Sequence, residues 1–372
     1  MRISLIGPFP PFRGGISDFN SALMNELDKS HDLQVINYST QYPKFLFPGK
    51  TQYKNSVDGS FEHERILSSI NPLTWRKTAN TIIEFQPDII VIPYWMPFFA
   101  PALRKISVLL KYKIDVKIIA ICHNLIPHEK HNFSQYFTKI FLNKIGRFIV
   151  MSESVRLDLV KMVPNAKFKL TPLPIYNIFG NIIGKNEARK LLGIKAKNVI
   201  LYFGLIREYK GLDILLNCIP QIKQELTDFI VIVAGECYGK TEKYYEIINK
   251  LDIQKSVDLR LKFIPDNEVA EYFSAADVVA LPYRAATQSG ITQIAYNFNR
   301  PVIVSDVGGL AEIVPNGKVG YVVKPQPEDF AKAIIKFFKA DKFEEFSKKI
   351  ETHKQLFSWE KFVNNFMELA SE

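Results

Sequence analysis

Arg207 and Lys210 stand three positions apart in YFGLIREYKGLD (202–213), where an apolar run ends at Gly204 and a helical pattern begins. Residues three apart at a helix start share a face, so a planar guanidinium fork and a compact ammonium converge on one anion. A second segment offers the same chemistry. In TQSGITQIAYNFNRPVI (287–303), Thr287, Gln288, Ser289 and Gly290 precede an amphipathic helix. The first N–H groups of a helix lack internal partners and sit at its partly positive end. Ordinary capping accounts for this segment taken alone, as a solvated basic pair accounts for the other. Together they point to a diphosphate, held by two full charges from one turn and backbone N–H groups from the other.

Three further residues lie where a ligand would meet them. Gly14 and Gly15, in GPFPPFRGGISDF (7–19), open the first helix after the first apolar run, so backbone can approach a ligand closely there. The spacing from Gly7 is not that of the GxGxxG dinucleotide fingerprint, and no acidic ribose reader stands at a strand end about twenty residues on. His123 closes the run KIIAICH (117–123), at the carboxyl end of an expected strand. A core histidine satisfied by a backbone carbonyl is the alternative reading. His128, Glu129 and His131 follow, but without a fourth ligand or HExxH spacing they make no metal site. No metal and no cofactor is therefore expected.

These residues need strands to place them. Short runs rich in Ile and Val recur at 2–7, 33–38, 88–94, 117–123, 147–152 and 167–174. A second series follows at 198–204, 228–235, 259–265, 277–283, 301–306 and 320–325. Continuous apolar runs without alternation mark parallel strands buried on both faces. Helical patterns such as 210–226 and 328–340 lie between them, and strand–helix–strand series make right-handed crossovers and open sheets. Two series in 372 residues predict two doubly wound domains. The expected boundaries are 1–178 and 185–355, with 356–372 returning to the first domain. Residues 39–73 read as a long insertion. Ligands of open parallel sheets bind beyond the carboxyl ends of the strands, which turns the loop residues above into one candidate cleft.

Composition narrows the classes. An apolar fraction of 47% with 13% aromatics suits globular cores. No run of 18 uncharged apolar residues and no signal-peptide pattern occurs, so a cytosolic protein is expected. The three cysteines have no paired spacing. The net charge of +10 is uneven: residues 1–180 hold 22 Lys and Arg against 13 Asp and Glu, or +9, leaving 26 against 25, or +1. The basic, apolar stretch 103–117 fits anionic lipid headgroups, and a solvated helix face is the alternative. Aromatic stacking motifs for nucleic acid are missing from this half, and no nucleic-acid partner is expected.

Several motifs in order resemble one family. YFGLIREYKGLDILL, IVAGE (232–236), LKFIPDNEVAEYFSAADVVALPY (261–283), RPVIVSDVGGLAEIV (300–314) and GYVVKP look like the nucleotide-sugar half of retaining glycosyltransferase family 4. GPFPPFRGGISDF and ICHNLIPHE (121–129) look like its acceptor half. The similarity covers most of the chain except 39–73. It implies the GT-B fold, two Rossmann-like α/β domains facing across a cleft. It implies that Arg207 and Lys210 neutralise a donor diphosphate and that Gln288, Ser289 and Gly290 hold its distal phosphate. It further implies that the Ile264 backbone reads the base and that His123 lies near the transferred sugar; from their places at strand-to-helix turns, Gly14, Gly15 and Gly204 are expected to approach the donor. The family usually carries two glutamates eight apart, where this chain has Ala286 and Ile294. Gln288 and Gln293 are the nearby polar side chains that can stand in.

The implied reaction is hexosyl transfer from a nucleotide-diphosphate-sugar to a hydroxyl, with configuration kept, in cell-surface polysaccharide or glycolipid assembly, and with no coherent set of metal ligands in the sequence it is expected to be metal-independent. The departing phosphate accepts the acceptor proton, and no hydrolase-type carboxylate pair is needed. The acceptor is a glycan or a lipid-linked sugar. For the latter, peripheral docking on an anionic cytoplasmic membrane face is expected through Lys105, Lys111, Lys113 and Lys117, with Trp95 and Phe98 as acceptor or interface contacts. A non-catalytic nucleotide-sugar or glycan-binding protein and a sugar-nucleotide epimerase are the alternatives.

Overall fold

The computed structural model describes residues 1–43, 47, 51–54, 64–126 and 134–372. His128, Glu129 and His131 lie outside them. The chain divides into two units, Met1–Pro174 with Trp359–Glu372, and Ile175–Ser358. The breaks fall at 174/175 and 358/359, against 178 and 356 read from the sequence.

The first unit is built on seven parallel strands: β1 (Arg2–Ile6), β2 (Asp32–Thr40), β3 (Glu64–Ser68), β4 (Ile89–Tyr94), β5 (Lys117–Cys122), β6 (Arg147–Val150) and β7 (Lys167–Leu170). Their order is β3-β2-β1-β4-β5-β6-β7, so the winding reverses between β1 and β4. The second unit has six: β8 (Asn198–Phe203), β9 (Phe229–Ala234), β10 (Val257–Arg260), β11 (Val278–Leu281), β12 (Val302–Ser305) and β13 (Gly320–Val323). Their order is β10-β9-β8-β11-β12-β13, reversing between β8 and β11. Both are doubly wound α/β sheets.

At each reversal the flanking strands pair only briefly. β1 meets β4 from Ile3↔Ile89 to Leu5↔Val91, and β8 meets β11 only at Ile200↔Val278 and Leu201↔Val279. Past these pairs Pro93, which has no N–H, breaks the donor row of β4. Folds of this kind seat ligands beyond the carboxyl ends of the strands at such reversals, here β1/β4 and β8/β11.

Burial on both faces supplies the cohesion. All of β4 and of β11 is buried. Each fully buried Ile or Val contributes about 1.5–3 kcal/mol against the unfolded chain. The C-terminal helix Trp359–Ser371 belongs to the first unit, where it packs on the first helix, Gly15–Leu27, and on β7. Lys117 Nζ donates to the Ala370 carbonyl at 2.7 Å, and Lys169 pairs with Glu368.

Two sequence expectations change. The stretch 39–73 holds β3, a five-residue edge strand with register shifts against β2, and the Asn71 cap of the helix Pro72–Phe85. An edge strand exposing Glu64 and Arg65 has no continuous apolar run to announce it. The run at 259–265 is strand only over Val257–Arg260, because Lys262 N–H turns back to the Arg260 carbonyl.

Candidate functional site

In the second unit the loops after β8 and β11 meet. Gly204 follows β8, its N–H bonded to the Ala234 carbonyl at 2.9 Å. A Cβ built on Gly204 would lie 3.0 Å from Ile291 Cδ1 and 3.6 Å from Lys210 Nζ. The ammonium and the first turn of the helix Gly290–Asn297 thus meet above one stretch of backbone. Arg207, in extended conformation, precedes a single turn, Glu208–Lys210, and Lys210 N–H bonds the Arg207 carbonyl at 3.0 Å. Arg207 Cζ lies 5.1 Å from the centre of the Tyr238 ring, and Lys210 Nζ lies 5.5 Å from that of Tyr283. Among the described residues no carboxylate ion-pairs with Lys210.

That turn is braced from two sides. Gly211 has φ +64°, and a Cβ there would stand 2.0 Å from the Pro282 carbonyl oxygen, so only glycine lets the turn rest on the end of β11. Arg284, just beyond β11, donates to both carboxylate oxygens of Asp213 at 2.8 and 2.5 Å and to the Glu208 carbonyl at 3.0 Å. A bidentate pair with an added carbonyl bond fixes orientation as well as distance. Neither Arg284 nor Asp213 was legible as a site residue, because the pair spans 71 positions.

The electrostatics favour an anion. Desolvation, with the Arg207 charge beside it, pushes the Lys210 ammonium down to about 8. An arriving diphosphate supplies the opposite charge that offsets both causes, so the ammonium is held charged with ligand in place. We expect kcat/KM for donor to fall as pH rises through about 8, since the free enzyme loses the Lys210 proton there, while kcat holds to higher pH. Initial rates across the alkaline range test this. A flat kcat/KM profile to about pH 9.5 would remove Lys210 from donor binding.

The helix start contributes backbone donors. Ser289 is its N-cap residue and is buried, while Thr287, Gln288 and Gly290 are half-buried. The Tyr176 ring lies over Gly290, 3.4 Å from where a Cβ would stand, and had no sequence signal. Ala286 and Ile294 are both buried and apolar, so the acidic pair of the resembling family is replaced by packing. Gln293 is fully enclosed, and among the described residues neither end of its amide meets a partner. Ile264 lies in the loop after β10 rather than at its end, buried, and nothing among the described residues pairs with its backbone.

In the first unit, His123 follows β5, and its N–H donates to the Tyr94 carbonyl at 2.8 Å. Burial pushes the imidazole down to about 3, so it is neutral near pH 7 and acts as a hydrogen-bonding group rather than a cation. Its ring meets Phe19 edge-on at 4.7 Å, and Phe19 packs in turn on Trp359 at 5.4 Å and Phe362 at 5.5 Å. The C-terminal helix therefore backs the histidine through Phe19, across 104 positions of sequence from Phe19 to His123 (123 − 19). Gly14 has φ +112°, and nothing lies within 4 Å of where its Cβ would be. Gly15 begins the helix beside that open space.

The expected acceptor and membrane residues separate. Trp95 donates its indole N–H to Tyr42 Oη at 3.2 Å, its ring 4.4 Å from Phe99, and Phe98 stacks on Tyr42 at 5.8 Å. These form an aromatic wall just beyond the carboxyl ends of β2 and β4. Lys105, Lys111 and Lys113 are exposed on the helix Ala100–Lys113, whereas Lys117 is turned inward to Ala370.

Comparison with known proteins completes the description. The family described as Glycosyl transferases group 1 matches residues 184–354, and Glycosyltransferase Family 4 matches residues 13–175. An uncharacterized glycosyltransferase of Methanocaldococcus jannaschii is 25% identical, over 100% of this chain and 98% of its own. Among solved structures, sucrose-phosphate synthase from Thermosynechococcus elongatus superposes with a TM-score of 0.78 at 18% identity, covering 99% of this chain and 98% of that one. HepE of Anabaena, solved in complex with UDP, gives 0.75 at 16%, covering 100% and 99%.

Proposed function

For a chain that belongs to the group 1 and family 4 glycosyltransferases of the GT-B fold, we propose that the reaction is retaining transfer of a sugar from a nucleotide-diphosphate donor to an acceptor hydroxyl. The observation that carries this reading is the meeting of Lys210 Nζ with the first turn of the 290–297 helix over Gly204. Departure of the sugar leaves negative charge on the diphosphate. Fixed cations and N–H dipoles at that point stabilise it without reorganising.

Arg207 and Lys210 take the diphosphate, and the backbone of Gln288, Ser289 and Gly290 takes its distal phosphate. The Ile264 backbone reads the base. Bond breaking from anomeric carbon to phosphate oxygen accompanies attack from the same face by the acceptor oxygen, whose proton passes to the departing phosphate. Neutral His123 holds a hydroxyl of the sugar by hydrogen bonding. Gln288 and Gln293 supply uncharged amides where relatives of the resembling pattern carry carboxylates, and the wall of Tyr42, Trp95 and Phe98 offers flat apolar faces to an acceptor. The UDP held by HepE and the ADP held by starch synthase IV of Arabidopsis thaliana make uridine and adenosine diphosphates the first donors to try.

The test incubates the full chain with UDP-, ADP- and GDP-sugars and candidate acceptors and follows products by mass spectrometry and by the anomeric proton couplings. We expect a glycosylated product with the donor's configuration, and activity that survives excess EDTA, because two protein cations already face the leaving group. An isomerised free donor would establish epimerisation instead. Tight donor binding without any product would establish a binding protein, and loss in EDTA restored by magnesium would overturn the metal-free mechanism.

A further inference from the structure

The helices Ala100–Lys113 and Ser134–Leu142 lie side by side on one face of the first sheet, and neither contains an acidic residue. Their inner sides are spent on the core, with Ile106, Leu110, Phe141 and Leu142 buried. Their outer sides, with the turn after the second helix, carry Lys105, Lys111, Lys113, Lys139 and Lys144, all exposed. Between these cations stand aromatic rings that the fold leaves open: Tyr112 is 82% exposed, Tyr136 63% and Phe137 40%. Lys113 Nζ sits 5.6 Å from the Tyr112 ring, and Tyr136 and Phe137 meet edge-on at 5.8 Å.

The charges crowd one another. The Lys111 ammonium is held below its ordinary value by desolvation and by Lys144 and Arg147. Elsewhere the surface mixes signs, as on the helix Phe343–His353, where Glu344, Glu345 and Glu351 alternate with Lys348 and Lys349. Among the described residues no helix is long and apolar enough to cross a membrane.

We infer that the paired outer faces of the helices 100–113 and 134–142 form a docking surface for an anionic lipid bilayer. Clustered lysines neutralise headgroups, and Tyr and Phe rings insert at the headgroup level, a combination that neither a neutral bilayer nor a soluble polyanion matches in both parts. The surface differs from the one expected from sequence. Lys117 leaves it, because its ammonium holds Ala370, and Trp95 and Phe98 leave it for the aromatic wall. Tyr112, Tyr136, Phe137, Lys139 and Lys144 join it.

Flotation of the full chain with vesicles decides the matter and requires neither donor nor transfer, so its failure leaves the glycosyltransferase reading untouched. We expect recovery with vesicles containing phosphatidylglycerol at low salt, little with phosphatidylcholine alone, and a steep fall as salt rises. The triple variant Lys105→Gln, Lys111→Gln, Lys113→Gln should lower partitioning by about a hundredfold. The double variant Tyr136→Ser, Phe137→Ser should lower it while keeping the salt dependence. A control triple on the second unit, Lys250→Gln, Lys255→Gln, Lys348→Gln, removes the same charge and should bind as the parent does. All these side chains are exposed, and unchanged melting confirms the fold. Equal recovery on neutral and anionic vesicles, no recovery on either, or equal loss in the control triple would overturn the assignment.

Discussion

Replacing either Arg207 or Lys210 by alanine is expected to lower turnover by about two orders of magnitude or more, the scale of removing one preorganised donor from a developing anion. The two act on the same charge from one short loop, Arg207 just before the turn and Lys210 within it. Their effects should therefore not add in the double variant. Lys210→Arg keeps a charge at every working pH, so it should abolish the decline of kcat/KM above about pH 8 even if its longer fork costs some rate. Unchanged circular dichroism, with initial rates at saturating donor, separates lost chemistry from lost fold. Near-normal rates in both alanine variants would end the diphosphate assignment.

The second large effect belongs to a residue with no side chain. Gly211→Ala places a methyl 2.0 Å from the Pro282 carbonyl oxygen at a backbone angle of +64°. The left-handed conformation alone costs a non-glycine residue about 1–2 kcal/mol, and the clash with backbone must be relieved by moving the turn. We expect at least about 3 kcal/mol of lost stability in urea unfolding, and a fall in turnover well beyond it, because Lys210 moves with the turn. Gly193→Ala is the control. Its φ is +70° but nothing lies within 4 Å of the added carbon, so it should lose only about 1–2 kcal/mol and keep its rate. Equal losses in the two variants would show that the contact with Pro282 is slack.

The sequence by itself determined what each residue's nearest neighbours in the chain decide. Parallel strands buried on both faces are continuous apolar runs, so β4, β5, β8 and β9 can be found without knowing what packs on them. Arg207 and Lys210 are legible as two cations in one short loop after an apolar run, but the shared helix face expected for them is not what joins them: Arg207 is extended and only Lys210 lies in the turn. Gly14 and Gly15 are legible because a strand-to-helix turn needs backbone freedom where they occur. Tertiary structure decided whatever depends on segments the crossovers bring together. Arg284 reaches Asp213 across 71 positions, and Phe19 reaches both His123 and the C-terminal helix. Lys117 looks like any other lysine of a basic stretch until Ala370, 253 positions away, offers it a carbonyl. Edge strand β3, with a polar outer end and a shifted register, is held by its neighbour rather than by its own pattern. The acid-free face arises only when two helices from different crossovers lie side by side. Local periodicity chooses which side of an element is buried, but the partner that buries it, or the surface it shares, is set by where the sheet order returns the chain.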